Sequence, residues 1–266
     1  MLLIIALLLS ACAVTHTPPI YRIALLAPFE GRYAEIGYNA LYAARLAFTA
    51  TGVTNIELMA VDDGGSVETA VLRARALRVD PQVIGALVLG YQSSDPAVQV
   101  ALGDIPVLIV GRWTDSRAAE HVFILSSRDI HTPLDPVTAQ IDVPYEGGDV
   151  WMLEGARRLR ESLDGITVVT SGSPADADFV DWYRVGNAFA PEPNQLAMLS
   201  YDAAAFLIQA AGSLRRDRAS TTRWLTETTY NGTLSGDIKF ESDGYWSQAP
   251  INRYRFENGA WSEADS

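Results

Sequence analysis

The sequence predicts an α/β protein built on parallel sheets, and three observations carry that reading. Short apolar runs alternate with longer segments whose apolar residues recur at helical spacing. Cap and stop signals fall at the junctions, among them Gly52, Ser66 and Asp80-Pro81. Hydrophobic residues make up 48% of the 266 and charged residues 20%, which is enough to bury a sizeable core and too apolar for disorder. Strands that alternate with helices form a parallel sheet covered on both faces.

The elements follow in order. Residues 21–27 are a short apolar run, a buried strand, and 28–34 a loop. Residues 36–50 carry Leu41, Ala44, Ala47 and Phe48 near helical spacing, with Gly52 just past the end as a C-cap. A second strand covers 56–61 and ends in Asp62-Asp63-Gly64-Gly65. Ser66 is an N-cap, but Thr69 stands where a capping box needs Glu or Gln. That helix runs to Val79, and Asp80-Pro81 stops it. Residues 83–89 form the third strand, Asp95 or Pro96 opens the third helix, and 107–110 and 121–125 are the fourth and fifth strands.

The segment 126–148 holds Pro133, Pro136, Pro144 and two glycines and reads as a loop or an incomplete unit. Beyond it a strand is expected at 149–153, a helix at 154–163 and a strand at 166–170. Helices are expected at 176–188, 195–214 and 221–228. The last part changes character: 232–236, 237–240, 243–244 and 252–256 read as turns and antiparallel strands. No internal repeat is present.

Lys and Arg number 20 against 32 Asp and Glu, a net charge of -12. That acidity argues against a nucleic-acid role, which needs a basic face to displace counterions from phosphate. The single cysteine, Cys12, permits no intramolecular disulfide. It follows the apolar run 2–9, which is too short to span a bilayer and fits the core of a secretory signal. Leu9-Ser10-Ala11-Cys12 resembles the bacterial lipobox, and a Thr/Pro-rich tether, 15–19, follows. One departure is that no Lys or Arg precedes the apolar run. The resemblance implies lipidation of Cys12 and an extracytoplasmic, lipid-anchored protein. Acyl chains hold a membrane at about 0.8 kcal/mol per buried methylene. The plainer reading is a hydrophobic start with a chance cysteine.

Five segments together resemble the leucine/isoleucine/valine-binding family of type I periplasmic binding proteins, the solute receptors of ABC importers. They are IALLAPFEGRYAEIGYNALYAARLAF, VDDGGSVETAVLRARALRVDPQVIGALVLGYQSSDPAVQVA, IPVLIVGRWTD with HVFILSSRD, GITVVTSGSP with DFVDWYR and LSYDAAAFLIQAAGSL, and YNGTLSGDIKFESDGYW. The resemblance spans residues 21–123 and 165–266. It implies two doubly wound lobes joined by three crossing segments, with ligand held at the carboxyl ends of the strands. Lobe 1 would comprise 20–123 plus 171–236 and lobe 2 would comprise 124–170 plus 237–266, after a signal and tether at 1–19. Fewer than fifty residues separate the FILSSRD crossing from the GITVVT return, room for one strand-helix unit of about 30 residues and not for the family's several. Lobe 2 is therefore expected to be reduced. Either lobe 1 holds the ligand mainly alone, or a partner completes the cleft, or tight binding has been lost.

An amino-acid receptor must satisfy an α-carboxylate and an α-ammonium, and the resemblance places hydroxyls and backbone groups after the third and fourth strands. Gln92, Ser93 and Ser94 stand after strand three, beside a helix N-terminus that favours an anion; alignment does not choose between the two serines. A plain capping role for Ser94 or Asp95 competes with that reading. Thr114 matches a family hydroxyl, with the Arg112 carbonyl as an ammonium acceptor. Arg112 and Trp113 replace small residues: Trp113 either stacks on a ligand or narrows the pocket, and Arg112 either attracts an acidic ligand or is solvated. Tyr33 matches a cleft tyrosine, or is a surface aromatic packed on the first helix.

Asp62-Asp63 reads as a turn and Tyr201-Asp202 as structural. His16, His121 and His131 show no metal-ligand spacing. No nucleophile elbow, P-loop or dinucleotide fingerprint is present, so no enzyme and no cofactor is expected. The expected function is capture of a small polar solute, an amino acid or related, and its delivery to an ABC permease. The alternative is a non-transport lipoprotein that uses the same fold as a sensor or protein-interaction module.

Overall fold

The computed structural model describes residues 19–136, 140–158, 163–185, 189–212 and 215–264. Five strands form the first sheet: β1 (Tyr21–Ala27), β2 (Ile56–Asp62), β3 (Val83–Val88), β4 (Val107–Val110) and β5 (Val122–Leu125). Their order is β2-β1-β3-β4-β5 and every pairing is parallel. Central strands β3 and β4 and edge strand β5 are buried at every residue, as expected of strands covered on both faces, whereas the other edge strand, β2, is largely half-exposed.

The helices α1 (Ala34–Thr51), α2 (Val67–Val79) and α3 (Pro96–Leu102) supply the crossovers. Each end carries its predicted device. Gly52 takes the left-handed C-cap with φ 63, Ser66 Oγ accepts from Thr69 N at 3.2 Å, and Asp95 Oδ1 accepts from Ala97 N at 2.8 Å. Gly37 is required for packing: a Cβ there would come within 2.1 Å of the Pro28 carbonyl oxygen.

Two short helices of the middle segment, α4 (Glu154–Arg157) and α5 (Ala177–Arg184), precede the long α6 (Gln195–Ala211). Only Gln209 of α6 escapes burial, because the helix lies on the first sheet and against α1. The approach is close enough that a Cβ on Gly85 would meet Leu207 at 2.9 Å. Helix α7 (Arg218–Glu227) and the small pair β8 (Tyr230–Asn231) and β9 (Asp237–Ile238) complete this half. Phe206 stacks on Tyr230 at 5.0 Å and on Phe240 at 6.0 Å, which ties the later segments to the core.

The second sheet is smaller and mixed. It comprises β6 (Tyr145–Gly147), β7 (Ile166–Thr170), β10 (Asn252–Glu257) and β11 (Ala260–Glu263), in the order β11-β10-β7-β6. Strands β6 and β7 are parallel, while β10 is antiparallel to both β7 and β11. Three crossings link the halves and bind one another: Ser127 N donates to Ser171 Oγ at 2.8 Å, and Ile124 N to Gly244 O at 2.8 Å.

One expectation is corrected here. Residues 149–153 are not a strand: Asp149–Met152 is a 3-10 helix, because Trp151 N turns back to Gly148 O at 3.0 Å to bury Val150 and Trp151 completely. Of the two readings of 126–148, loop or incomplete unit, the second is met by β6, which forms at the point where Tyr145 N finds Gly165 O at 3.0 Å. The terminal strand β11 went unread because its burial is partial and without clear alternation. The expected helix ends at 159–162, 186–188 and 213–214, and the segment 1–18 with Cys12, lie outside the described residues.

Candidate functional site

The loops after β1, β3 and β4 meet at the carboxyl end of the first sheet, the position where open parallel sheets bind ligands. Asp62 and Asp63 shape the floor. Asp62 accepts from Phe29 N at 2.7 Å and Gly64 N at 2.9 Å, and Asp63 from Gly65 N and Ser93 Oγ, each at 2.9 Å. Burial pushes the Asp63 carboxyl up, against the pull of those two hydrogen bonds. The pair is a turn, as expected, with the added task of fixing Ser93.

The two serines differ in consequence. Ser93 has spent its hydroxyl on Asp63, whereas Ser94, equally buried, has an Oγ with no hydrogen-bond partner among the described residues. Gln99 holds the Ser94 carbonyl at 2.8 Å and reaches the Ser116 carbonyl at 3.0 Å, so it bridges the β3 and β4 loops. Asp95 caps α3, and Gln92 is half-buried on the turn. Thr114 Oγ1 accepts from Ser116 N at 3.1 Å, which fixes the loop.

Trp113 is 3% exposed; its Nε1 donates to Val110 O at 2.7 Å and its ring stands edge-on to Tyr91 at 5.3 Å. Of the two readings for Trp113, the geometry is that of a side chain filling the strand-end hollow. Arg112 is 5% exposed and is not solvated. It donates to Asp115 Oδ1 at 2.8 Å and lies over the Tyr245 ring at 4.8 Å, while its Nε and Nη1 have no partner among the described residues. Burial would raise the Asp115 carboxyl, but hydrogen bonds from Thr132 and Arg112 outweigh it and hold it below the usual range.

The first crossing segment runs over these loops. Thr132 donates from N at 3.3 Å and Oγ1 at 2.8 Å to Asp115 Oδ1. Tyr91 OH donates to Pro133 O at 3.0 Å, and Leu134 N to Tyr145 OH on β6 at 2.9 Å. Tyr33, edge-on to Tyr91 at 6.2 Å, donates its hydroxyl to Asp135. Burial and the Asp135 carboxylate push the Tyr33 phenol well above its ordinary value.

Asp149, on the 3-10 helix, is the second half's main contribution. It accepts from Thr170 Oγ1 at 2.5 Å and sits beneath Gly111, where a Cβ would approach its Oδ2 to 3.4 Å. Burial raises its pKa against hydrogen bonds that include the Arg112 backbone N–H. Glu35 makes a further link, accepting from Gly155 N at 3.2 Å, beside an interlobe cavity of about 470 Å³ lined by Arg32, Glu154 and Glu192. A larger hollow of about 1070 Å³, beside Arg157, Arg255 and Phe256, lies at the distal end of the second sheet, away from these loops.

Sequence reasoning missed Tyr91, Asp115, Asp135 and Asp149, each of which acts through a distant partner. The available signals were Asp149 directly after Gly147-Gly148 and Asp135 between Pro133 and Pro136. Asp202 is structural, as read: it takes backbone N–H groups from Thr233, Leu234 and Ser235 at 2.8, 2.9 and 2.6 Å. Burial lowers the His121 pKa, and no cluster of three metal-ligating side chains occurs among the described residues.

No protein-family model and no curated protein matches the sequence. Solved structures do match. The Streptococcus pneumoniae branched-chain amino acid transporter substrate-binding protein LivJ, in complex with isoleucine, has a TM-score of 0.72 at 15% identity, covering 91% of this chain and 97% of that one. The Thermotoga maritima leucine-binding protein LivK gives 0.71 at 13%, covering 92% and 98%. A solute-binding protein from R. palustris in complex with benzoate gives 0.69 at 15%, covering 92% and 95%. The chain therefore has the two-lobed α/β fold of the type I periplasmic binding proteins.

Proposed function

We propose that the protein is an extracytoplasmic solute-binding lipoprotein, anchored through Cys12, that captures a small polar solute such as an amino acid and presents it to an ABC permease. The observation that carries this reading is that the loops after β3 and β4 carry buried polar atoms without hydrogen-bond partners among the described residues, Ser94 Oγ and the Arg112 Nε and Nη1. Buried polar groups are normally satisfied, so such atoms point to a group supplied from outside. An anionic solute would take hydrogen bonds from Ser94 and Thr114 and the charge of Arg112; Gln92, Trp113 and Tyr33 would shape the hollow. Ser93 is committed to Asp63, so Ser94 is the better hydroxyl. These side chains bind and orient; the role is capture without bond making. The solute-binding character of the proteins sharing the fold supports it.

The experiment is a thermal-shift screen of the protein with amino acids, amides, short-chain acids and sugars. A solute at 100 times its Kd should stabilise by about 2.7 kcal/mol. Ser94→Ala and Thr114→Ala should weaken any hit. A melting temperature that no compound moves removes the transport reading. One observation favours the alternative, a sensor or protein-interaction lipoprotein: the strand-end loops already hold the chain's own Trp113 and its crossing segment.

A further inference from the structure

We propose that Thr132–Asp135 is a releasable internal occupant of the cleft, a strap that a solute must displace. The proposal rests on the solute-binding reading for what displaces it, but not for the strap itself. Four consecutive residues are each gripped by a different side chain. Asp115 after β4 holds Thr132, Tyr91 after β3 holds the Pro133 carbonyl, and Tyr33 after β1 holds Asp135. Tyr145 on β6 holds Leu134 N from the opposite side. The three first-lobe grips come from the three loops that would hold a ligand, so the strap lies across them as an extended guest would. Its Asp135 carboxylate takes a phenol hydroxyl as an anionic group of a solute would.

The way the strap is held argues for release. Leu134 is 50% exposed and Thr132 and Asp135 are half-buried, so within the strap apolar burial fixes only Pro133, with Pro136 buried just beyond it. Pro133 and Pro136 carry no backbone N–H, so at these two positions no backbone donor ties the segment in place. Asp202, by contrast, holds its own loop through backbone N–H groups of three successive residues, Thr233, Leu234 and Ser235. Three of the strap's hydrogen bonds, from Thr132 N, Thr132 Oγ1 and Leu134 N, are exposed, and a segment held by exposed hydrogen bonds opens locally at low cost.

A competing internal occupant reduces apparent affinity by the fraction of molecules in which the cleft is open, Kd divided by that fraction. Releasing the strap should therefore tighten solute binding while loosening the segment. The test uses the full chain, its Asp135→Ala variant and, as a second variant outside the solute-facing loops, Tyr145→Phe. Amide hydrogen exchange is read at Thr132 and Leu134, with β3 amides as the internal control; binding is read with each of the twenty amino acids.

Both variants are expected to exchange at least tenfold faster at Thr132 and Leu134 with β3 unchanged, and to bind any amino acid that wild type binds about tenfold more tightly. Unchanged exchange at the two amides, exchange that rises equally in β3, or equal or weaker binding overturns the strap. Faster local exchange with no amino acid bound by any form supports the strap as a separable element and counts against the amino-acid reading instead. The two ideas therefore fail by different results.

Discussion

Trp113→Ala tests whether the strand-end hollow is packed from within. The indole is 3% exposed, donates to Val110 O at 2.7 Å, and meets Tyr91 edge-on at 5.3 Å. Truncating a buried Trp costs about 3–5 kcal/mol, through lost transfer energy and the cavity left behind. The aromatic contact, worth about 0.5–1.5 kcal/mol, and the hydrogen bond, worth about 1 kcal/mol, lie within that range rather than on top of it. At roughly 2–4 °C per kcal/mol for a chain of this size, the melting temperature should fall by about 10 °C. Differential scanning fluorimetry or calorimetry reads the shift. The same variant leaves an indole-shaped hole, so added indole at ten times its Kd should return about 1.4 kcal/mol. A fall under about 3 °C, or a full fall that indole does not reverse, would mean that Trp113 does not fill a formed cavity, and the account of the site would have to be abandoned.

Two further expectations concern charge and anchoring. Burial raises the folded-state pKa of Asp149, so its ionisation opposes folding: stability is fullest below the ordinary Asp pKa and declines as pH rises through the raised value. Asp149→Asn, which never ionises, should gain on wild type in melting temperature as pH increases from 4 to 8; a gap that stays constant across that range would show that the carboxyl titrates normally. Cys12→Ala should move the protein from the membrane pellet to the soluble fraction after cell lysis, and an unchanged distribution would remove the lipid anchor from the proposal.

The legible part of the sequence was the part governed by local rules. Strands β1 to β5 could be read because each is a short, mostly apolar run, and Ser66 and Gly52 act as their residue types predict. Asp149 was misplaced into a strand because Val150 and Trp151 look like strand residues when only apolar content is weighed. The paired glycines before them allow the chain to turn at once, and complete burial of Trp151 decides the conformation. At the site, Ser93 and Ser94 are indistinguishable by type and spacing. Only Asp63, 30 residues earlier in the chain, separates them. Asp115 and Asp135 likewise depend on Arg112, Thr132 and Tyr33, contacts that no local pattern encodes.

The reduced second half and the strap have a common physical origin. The carboxyl end of a parallel sheet exposes helix N-termini, loop N–H groups and carbonyls that need either water or a partner. A second lobe with several strand-helix units would wall that end from a distance and leave a cleft. Here fewer than fifty residues lie between β5 and β7, and the described ones among them supply one three-residue strand, a 3-10 helix and α4. So short a segment cannot stand off as a separate wall, and it lies directly on the loops instead. Thr132, Pro133 and Asp135 then become the nearest hydrogen-bonding partners for Asp115, Tyr91 and Tyr33. On the proposed reading, a short second half makes this connector the competitor that a solute must displace. Inserting a flexible Gly/Ser stretch after Pro136 should weaken that competition by lengthening the loop that holds the strap against the cleft, at a cost growing only with the logarithm of loop length.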